Sequence, residues 1–321
     1  MSTSLTLACR QRLDSCPWLG IQCQVGDNFR LYDFDTELAM HTELIRIPTP
    51  THPLDGAYYT PDGPVRGAAL YCHGNQMNFY VGAARFLVPY ITSLGCAFLA
   101  FNRRGHDSVS TYDSRDPVGG AYQTVEEGIE DNELAAQFLA DRGFKNPIVI
   151  GHSNGGVLAS EHVARHPETR ALVLLSAHAG GNRLTDPNSA SRYTINERTD
   201  DLIKEAKELL AAGKPRALML LPTWWHVISA KTFMDRLTNV PSLVENAKRI
   251  RCPVLFIRGD QEPVANYPAE KFKENCSGPC EIAIIPNCDH FYVGAEERVA
   301  KTVNEWLSRT LNLRSSLAGE S

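Results

Sequence analysis

Val149-Ile150-Gly151-His152-Ser153-Asn154-Gly155-Gly156 is the stretch on which the fold of this chain turns. A short β-branched run enters a G-x-S-x-G turn, and small residues compatible with a helix leave it. Glycines on both sides of Ser153 let the backbone reverse sharply, and a strand-to-helix elbow holds the serine in a strained conformation that bulkier neighbours would obstruct. The N–H groups that open the following helix face the place where a negative oxygen would form. Such a turn puts a serine hydroxyl where a nucleophile belongs.

The flanks fit that reading. Upstream, a helical pattern over Thr124 to Leu139 is followed by the turn Asp141-Arg142-Gly143 and the strand Pro147-Ile148-Val149-Ile150. Downstream, Val157 to Ala164 has apolar and small residues at helical spacing, and Arg165-His166-Pro167 ends it with cations and a proline stop. Ala171 to Ser176 is another apolar run without alternation, as expected of a strand buried on both faces.

Further short apolar runs occur at Ala68 to Cys72, Ala97 to Phe101, Pro253 to Ile257 and Glu281 to Ile285. Helical patterns at Val81 to Ser93 and Glu297 to Leu311 lie among them, the latter with Val299, Val303 and Trp306 on one side. Strands alternating with helices predict an α/β fold with a mostly parallel sheet. Thr42 to Ile47 and Leu54 to Tyr59, set among Pro- and Gly-rich turns, predict antiparallel edge strands instead.

A chain of 321 residues can bury a large core. Its net charge of -5 and the absence of a basic run argue against a nucleic-acid partner. No stretch approaches the about 20 apolar residues of a membrane span, and the N-terminal residues lack the apolar centre of a signal sequence. A soluble, cytoplasmic protein is the expectation. The nine cysteines are an odd number, and Cys72, Cys96 and Cys252 fall in or beside apolar strands, where reduced, buried thiols are expected. Cys276, Cys280, Cys288 and His290 give a partial zinc pattern, but His290 has a stronger claim elsewhere.

A serine hydroxyl needs a base to take its proton, and the base needs an anion to orient it. Of the ten histidines, His290 lies in Ile285-Pro286-Asn287-Cys288-Asp289-His290-Phe291-Tyr292, between the last apolar strand and the last helix. A loop there reaches the carboxyl edge of the sheet, where open α/β sheets bind ligands. Arg258-Gly259-Asp260-Gln261-Glu262-Pro263-Val264 follows the preceding strand and offers two carboxylates.

With Ser153, an acid and His290 in that order, the chain resembles the α/β-hydrolase family. The resemblance covers roughly residues 60 to 180 and 250 to 312. It implies an α/β-hydrolase fold and places Glu262 at the acid position, although Asp is commoner there; Asp260 is the fallback. Tyr71-Cys72-His73-Gly74-Asn75-Gln76 resembles the family's His-Gly motif, so the backbone N–H groups of Asn75 and Asn154 are implied as the oxyanion hole. Asn102-Arg103-Arg104-Gly105-His106-Asp107-Ser108 resembles a further family loop, with Asn102 for Asp and Asp107 for Gly, whose role there is mainly structural.

The resemblance divides the chain into a core from 1 to 178, a helical cap from 179 to 250, a second core segment from 251 to 312, and a disordered tail from 313 to 321. In the cap, Asp200 to Ala212 reads as a helix with Leu202, Ala206, Leu209 and Leu210 as its apolar side. Ser229 to Leu237 reads as another, with Ser229 as N-cap. Trp224 and Trp225 either line a substrate pocket or pack the cap onto the body, and His226 reads as a packing or surface residue. Together with His73, Gln76 and His152 beside the nucleophile, Trp224 and Trp225 are the candidate substrate contacts.

The expected activity is cleavage of an ester, thioester or amide through an acyl-enzyme, carboxylesterase-like, on a small carbonyl substrate of apolar or aromatic character. No cofactor or metal is implied. The same triad also serves carbon-carbon bond hydrolases and cofactor-free perhydrolases, and a rival of another class is a non-catalytic ligand-binding protein on this fold. A serine at the elbow argues against a dehalogenase, which needs a carboxylate there, and the absence of G-x-G-x-x-G after an early strand argues against a dinucleotide enzyme.

Overall fold

The structure, a computed structural model, describes residues 40–182, 199–221 and 227–313. The chain forms β1 (Met40–Ile47), β2 (Leu54–Pro61), β3 (Gly67–Cys72), α1 (Ala83–Phe86), α2 (Val88–Ser93) and β4 (Cys96–Phe101). Then come β5 (Ser110–Thr111), β6 (Pro117–Val118), α3 (Val125–Asp141), β7 (Ile148–His152), α4 (Asn154–Arg165) and β8 (Ala171–Leu175). The inserted segment supplies α5 (Thr199–Ala211), β9 (Leu218–Leu220), β10 (Val227–Ser229) and α6 (Ala230–Thr238). The remainder is α7 (Leu243–Ala247), β11 (Val254–Gly259), α8 (Ala269–Asn275), β12 (Cys280–Ile285) and α9 (Glu296–Leu311).

Every residue of β4, β7, β8 and β11 is buried. That is what unbroken apolar runs require: neither face can meet water, so helices must cover both. The resulting eight-stranded sheet has the order β1-β2-β4-β3-β7-β8-β11-β12. From β4 to β12 neighbours are parallel, while β1 and β2 pair antiparallel at one edge, as the sequence predicts. This is the α/β-hydrolase fold expected of the sequence.

Alternation along the strands builds two apolar layers. Ala69 and Tyr71 of β3 face the side covered by α1, α2 and α9. Ala68, Leu70 and Cys72 face the side covered by α3, α4, α7 and α8. Adjacent strands β3 and β7 lead into helices on opposite faces, α1 and α4. The crevice outside their carboxyl ends is therefore a topological switch point, the position where open α/β sheets take ligands.

Local chemistry sets the helix ends. Thr124 caps α3 with a capping box: its hydroxyl accepts from the Glu127 N–H, and the Glu127 carboxylate accepts from the Thr124 N–H. Ser229 caps α6 by accepting from the Thr232 N–H. The single helix expected over residues 81–93 is instead two, α1 and α2, with Pro89 in the first turn of the second. Proline offers no N–H to the turn before it, so the helical ladder breaks there.

In the insertion, Leu202, Ala206, Met219, Leu221, Ile228, Ala230, Phe233 and Leu237 form an apolar cluster of their own. Leu209 is partly buried against it, whereas Leu210, expected on the same side, is exposed. Residues 202, 206 and 209 lie within about 60° of one another around the helix, and residue 210, about 40° beyond residue 206, falls at the solvent-facing edge of that stripe. Polar contacts tie the insertion to the body: the Ser229 N–H donates to the Ala121 carbonyl, Arg236 Nη2 to the Gly120 carbonyl, and the Val125 N–H to Asp235 Oδ2, while Val240 packs with Val125, Ile129, Val157 and Leu158 of α3 and α4. Leu243, Ala247 and Ile250 pack in the main core, so the distinct cluster stops short of residue 250. Trp224, Trp225, His226 and the tail from 314 onward lie outside the described residues. Among the described residues no helix is long and apolar enough to cross a membrane.

Candidate active site

Ser153 sits between β7 and α4 with φ 55° and ψ -123°, a left-handed conformation for a residue with a Cβ. Such geometry costs on the order of 1–3 kcal/mol and persists only where neighbours enforce it. The glycines show how. A Cβ at Gly155 would collide with the carbonyl oxygens of Cys72 and His73, and one at Gly156 would come within 2.6 Å of the Ala177 Cβ. Without side chains there, α4 seats directly on the end of β3 and the serine is driven forward.

His290 Nε2 lies 3.0 Å from Ser153 Oγ, and His290 Nδ1 lies 2.7 Å from Glu262 Oε1. Glu262 is buried, and its other oxygen accepts from Ser176 Oγ at 2.5 Å and from the Gly259 N–H at 2.9 Å. Tyr292 Oη stands 2.7 Å from Ser176 Oγ and extends this chain. A carboxylate only accepts, so Nδ1 of His290 carries the proton and its Nε2 lone pair points at the serine hydroxyl. Asp260 is placed otherwise: exposed, it accepts the N–H groups of Asn287 at 2.9 Å and Cys288 at 3.1 Å. Those donors hold its carboxyl below the usual range. Asp260 thus braces the loop that carries His290, while Glu262 faces the imidazole.

Gly74 comes up against the nucleophile: a Cβ there would stand 3.3 Å from Ser153 Cβ and 3.2 Å from His152 Nδ1. Asn75 follows it, exposed, and Asn154, the residue after Ser153, opens α4 half-buried. The loop is fixed from behind. His73 Nδ1 donates to the Gly74 carbonyl at 2.8 Å, its Nε2 accepts the Arg103 N–H at 3.0 Å, and Arg103 Nη2 donates to the His73 carbonyl at 2.8 Å. Burial and the Arg103 charge push the His73 imidazole well below its ordinary pKa, keeping it neutral. Arg104 turns away, pairing with the buried Asp131. His106 Nδ1 lies 2.9 Å from Asp107 Oδ2.

His73 and His152, candidate substrate contacts by sequence, are both buried and serve as supports in the structure. His152 Nε2 donates to the His290 carbonyl at 2.9 Å, tying the residue before the nucleophile to the backbone of the base. Burial, with His290 beside it, pushes the His152 imidazole down to about 3. Gln76 is half-buried, and its amide nitrogen is enclosed without a protein acceptor among the described residues. Trp224 and Trp225 lie outside those residues.

Ser176 and Tyr292 escaped sequence reasoning. The available signal was slight: a serine directly after the apolar run of β8, and a tyrosine two positions beyond His290. Among the described residues, Cys276, Cys280 and Cys288 form no group of metal ligands with His290, whose ring nitrogens face Ser153 and Glu262. The only grouping of metal-ligand side chains among the described residues is Glu133, His162 and His166.

Residues 69–302 match the model of a family described as the alpha/beta hydrolase family. Among solved structures, the chain is similar to Est1E from Butyrivibrio proteoclasticus at 17% identity and TM-score 0.61, covering 84% of this chain and 99% of that one. It is similar to a soluble variant of monoglyceride lipase from Saccharomyces cerevisiae in complex with a substrate analog, at 16% identity and TM-score 0.61, over 84% of this chain and 95% of that one. A highly thermostable carboxyl esterase from Bacillus coagulans in complex with glycerol aligns at 14% identity and TM-score 0.61, over 85% of this chain and 99% of that one. No curated protein matches the sequence.

Proposed function

Because the chain is a hydrolase belonging to the alpha/beta hydrolase family, we propose that it cleaves carboxylic esters through a covalent acyl-enzyme on Ser153, with thioesters and amides as chemically related substrates. One observation carries the reading: a continuous relay from the Ser153 hydroxyl through His290, at 3.0 Å, to the buried Glu262 carboxylate, at 2.7 Å. Its similarity in fold to esterases and a monoglyceride lipase favours esters within that chemistry.

In the proposed mechanism, His290 Nε2 takes the Ser153 proton as Oγ attacks the substrate carbonyl. Glu262 holds the Nδ1–H tautomer and stabilises the imidazolium, and its own position is fixed by Ser176 and Gly259. The developing oxyanion is received by the N–H groups of Asn75 and Asn154. The imidazolium then protonates the leaving alcohol, and His290 activates water to release the acid and restore Ser153. Donors already in place cost no reorganisation during the reaction, and each is worth about 10²- to 10³-fold in turnover.

The insertion is the proposed determinant of specificity, and its apolar composition favours an apolar or aromatic acyl group. The proposed setting is the cytoplasm; the cysteines among the described residues are free thiols, as reducing compartments keep them. The test is kcat/KM for p-nitrophenyl esters from acetate to octanoate, in the wild type and in Ser153→Ala. Serine-dependent hydrolysis that rises with chain length is expected. No ester hydrolysis, or hydrolysis indifferent to Ser153, contradicts the mechanism, and rates that fall with chain length contradict the apolar pocket.

A further inference from the structure

At the end of α4 remote from Ser153, three side chains converge that the hydrolytic mechanism does not use. We propose that Glu133, His162 and His166 form a binding site for a divalent transition-metal ion of the zinc type. His162 and His166 are four residues apart, on the last turn of α4 and its C-cap, so they project on one side of the helix. Their ring centroids stand 4.4 Å apart. Glu133 reaches across from α3, with Oε1 2.9 Å from His162 Nδ1 and Oε2 2.7 Å from His166 Nε2.

The ligand atoms all lie within 4.8 Å of one another. A tetrahedral zinc ion with bonds of about 2.0–2.1 Å needs donor atoms roughly 3.4 Å apart, so small rotations of these side chains suffice. Two imidazoles and one carboxylate are a donor set that zinc accepts with a fourth position open to water. Two more observations favour a ligand site over a simple hydrogen-bonded brace between helices. His166 Nδ1 faces Glu168 Oε1 at 3.1 Å, the outer carboxylate that orients a metal-bound imidazole by its far nitrogen. Exposure is graded: the His162 side chain is 4% exposed and so fixed, whereas Glu133 at 34% and His166 at 36% leave a path for the ion and its water. By helix rise, His162 is about 14 Å along α4 from Ser153, so the ion would clamp α3 to α4 and take no part in the chemistry at the serine.

The test is zinc titration of the full-length, chelator-stripped protein in competition with a chromophoric chelator, alongside thermal unfolding. The wild type and Ser153→Ala are expected to bind one equivalent and to melt at a higher temperature with zinc. His166→Ala and Glu133→Gln, both at partly exposed positions that folding tolerates, are expected to lose that equivalent and the zinc-dependent shift. Glu168→Gln should weaken binding about 10-fold, as loss of an outer partner does. The cobalt-loaded wild type should show visible ligand-field bands without strong thiolate charge-transfer absorption. Absence of a bound equivalent in the wild type would overturn the proposal. So would an equivalent of equal affinity in His166→Ala and Glu133→Gln, which would assign the ion to the cysteines.

Discussion

The two ends of α4 use the same side-chain types to opposite effect. At its N-terminus one imidazole, His290, spans two different partners, a carboxylate on Nδ1 and a hydroxyl on Nε2. At its C-terminus one carboxylate, Glu133, spans two imidazoles, an oxygen to each. The first arrangement is directional and can pass a proton from Ser153 toward an anchored base. The second converges on a point, which suits an ion better than a proton relay. Burial sharpens the difference: Glu262 is enclosed with three donors, whereas Glu133 opens to solvent. The contrast teaches that histidine and glutamate acquire a role from the order in which they meet their partners.

Breaking the directional end should produce the largest effects. Ser153→Ala and His290→Ala are each expected to lower turnover on the order of 10⁴- to 10⁶-fold while circular dichroism stays native. Nearly normal turnover in either would remove the relay from the mechanism. Glu262→Gln should cost about 10⁴-fold, because the amide no longer selects the Nδ1–H tautomer, whereas Asp260→Asn should cost less than about tenfold, since it weakens only hydrogen bonds of the supporting loop. Equal losses in these two variants would show that the anion role is not confined to Glu262. Gly74→Ala introduces a Cβ 3.3 Å from that of Ser153, and a displaced Asn75 amide should lower kcat about 10²-fold with KM little changed.

Smaller effects separate the supports from the chemistry. His152 is neutral when folded, its imidazole pushed by burial down to about 3 from an ordinary 6.5. The unfolded chain therefore binds one more proton between those values. Stability is fully present above the unfolded value and falls as pH drops through this window, by up to about 1.4 kcal/mol per pH unit for this one group. His152→Gln should flatten that part of the urea-unfolding profile; an unchanged slope would show that His152 is not the group responsible. His166→Ala, at the convergent end, should leave ester turnover unchanged within about twofold, as expected of a surface substitution remote from the site. A large loss would couple the two ends and defeat the contrast.

The residues that are legible in sequence are those whose local pattern is physically forced. G-x-S-x-G around Ser153 needs its glycines because α4 seats on β3, and unbroken apolar strands need a two-sided parallel sheet. The choice between Glu262 and Asp260 came from resemblance to a family pattern; spacing alone left both open, since either residue of such a loop can face inward. Ser176 and Tyr292 were missed because their contact joins β8 to the loop after β12, 116 positions apart, with no periodicity to mark it. The Glu133, His162 and His166 group was hidden for a similar reason. Its histidines sit at helical spacing, where an ordinary helix end reads the same, and its carboxylate comes from another helix.

Labelling with a fluorophosphonate, followed by peptide mass mapping, tests the central claim most directly, because the reagent reports an activated serine without requiring the natural substrate. Stoichiometric modification of Ser153 in the wild type, collapsing in His290→Ala, is the predicted result. A well-folded protein in which Ser153 stays unmodified, or is modified at the same rate without His290, would contradict the account.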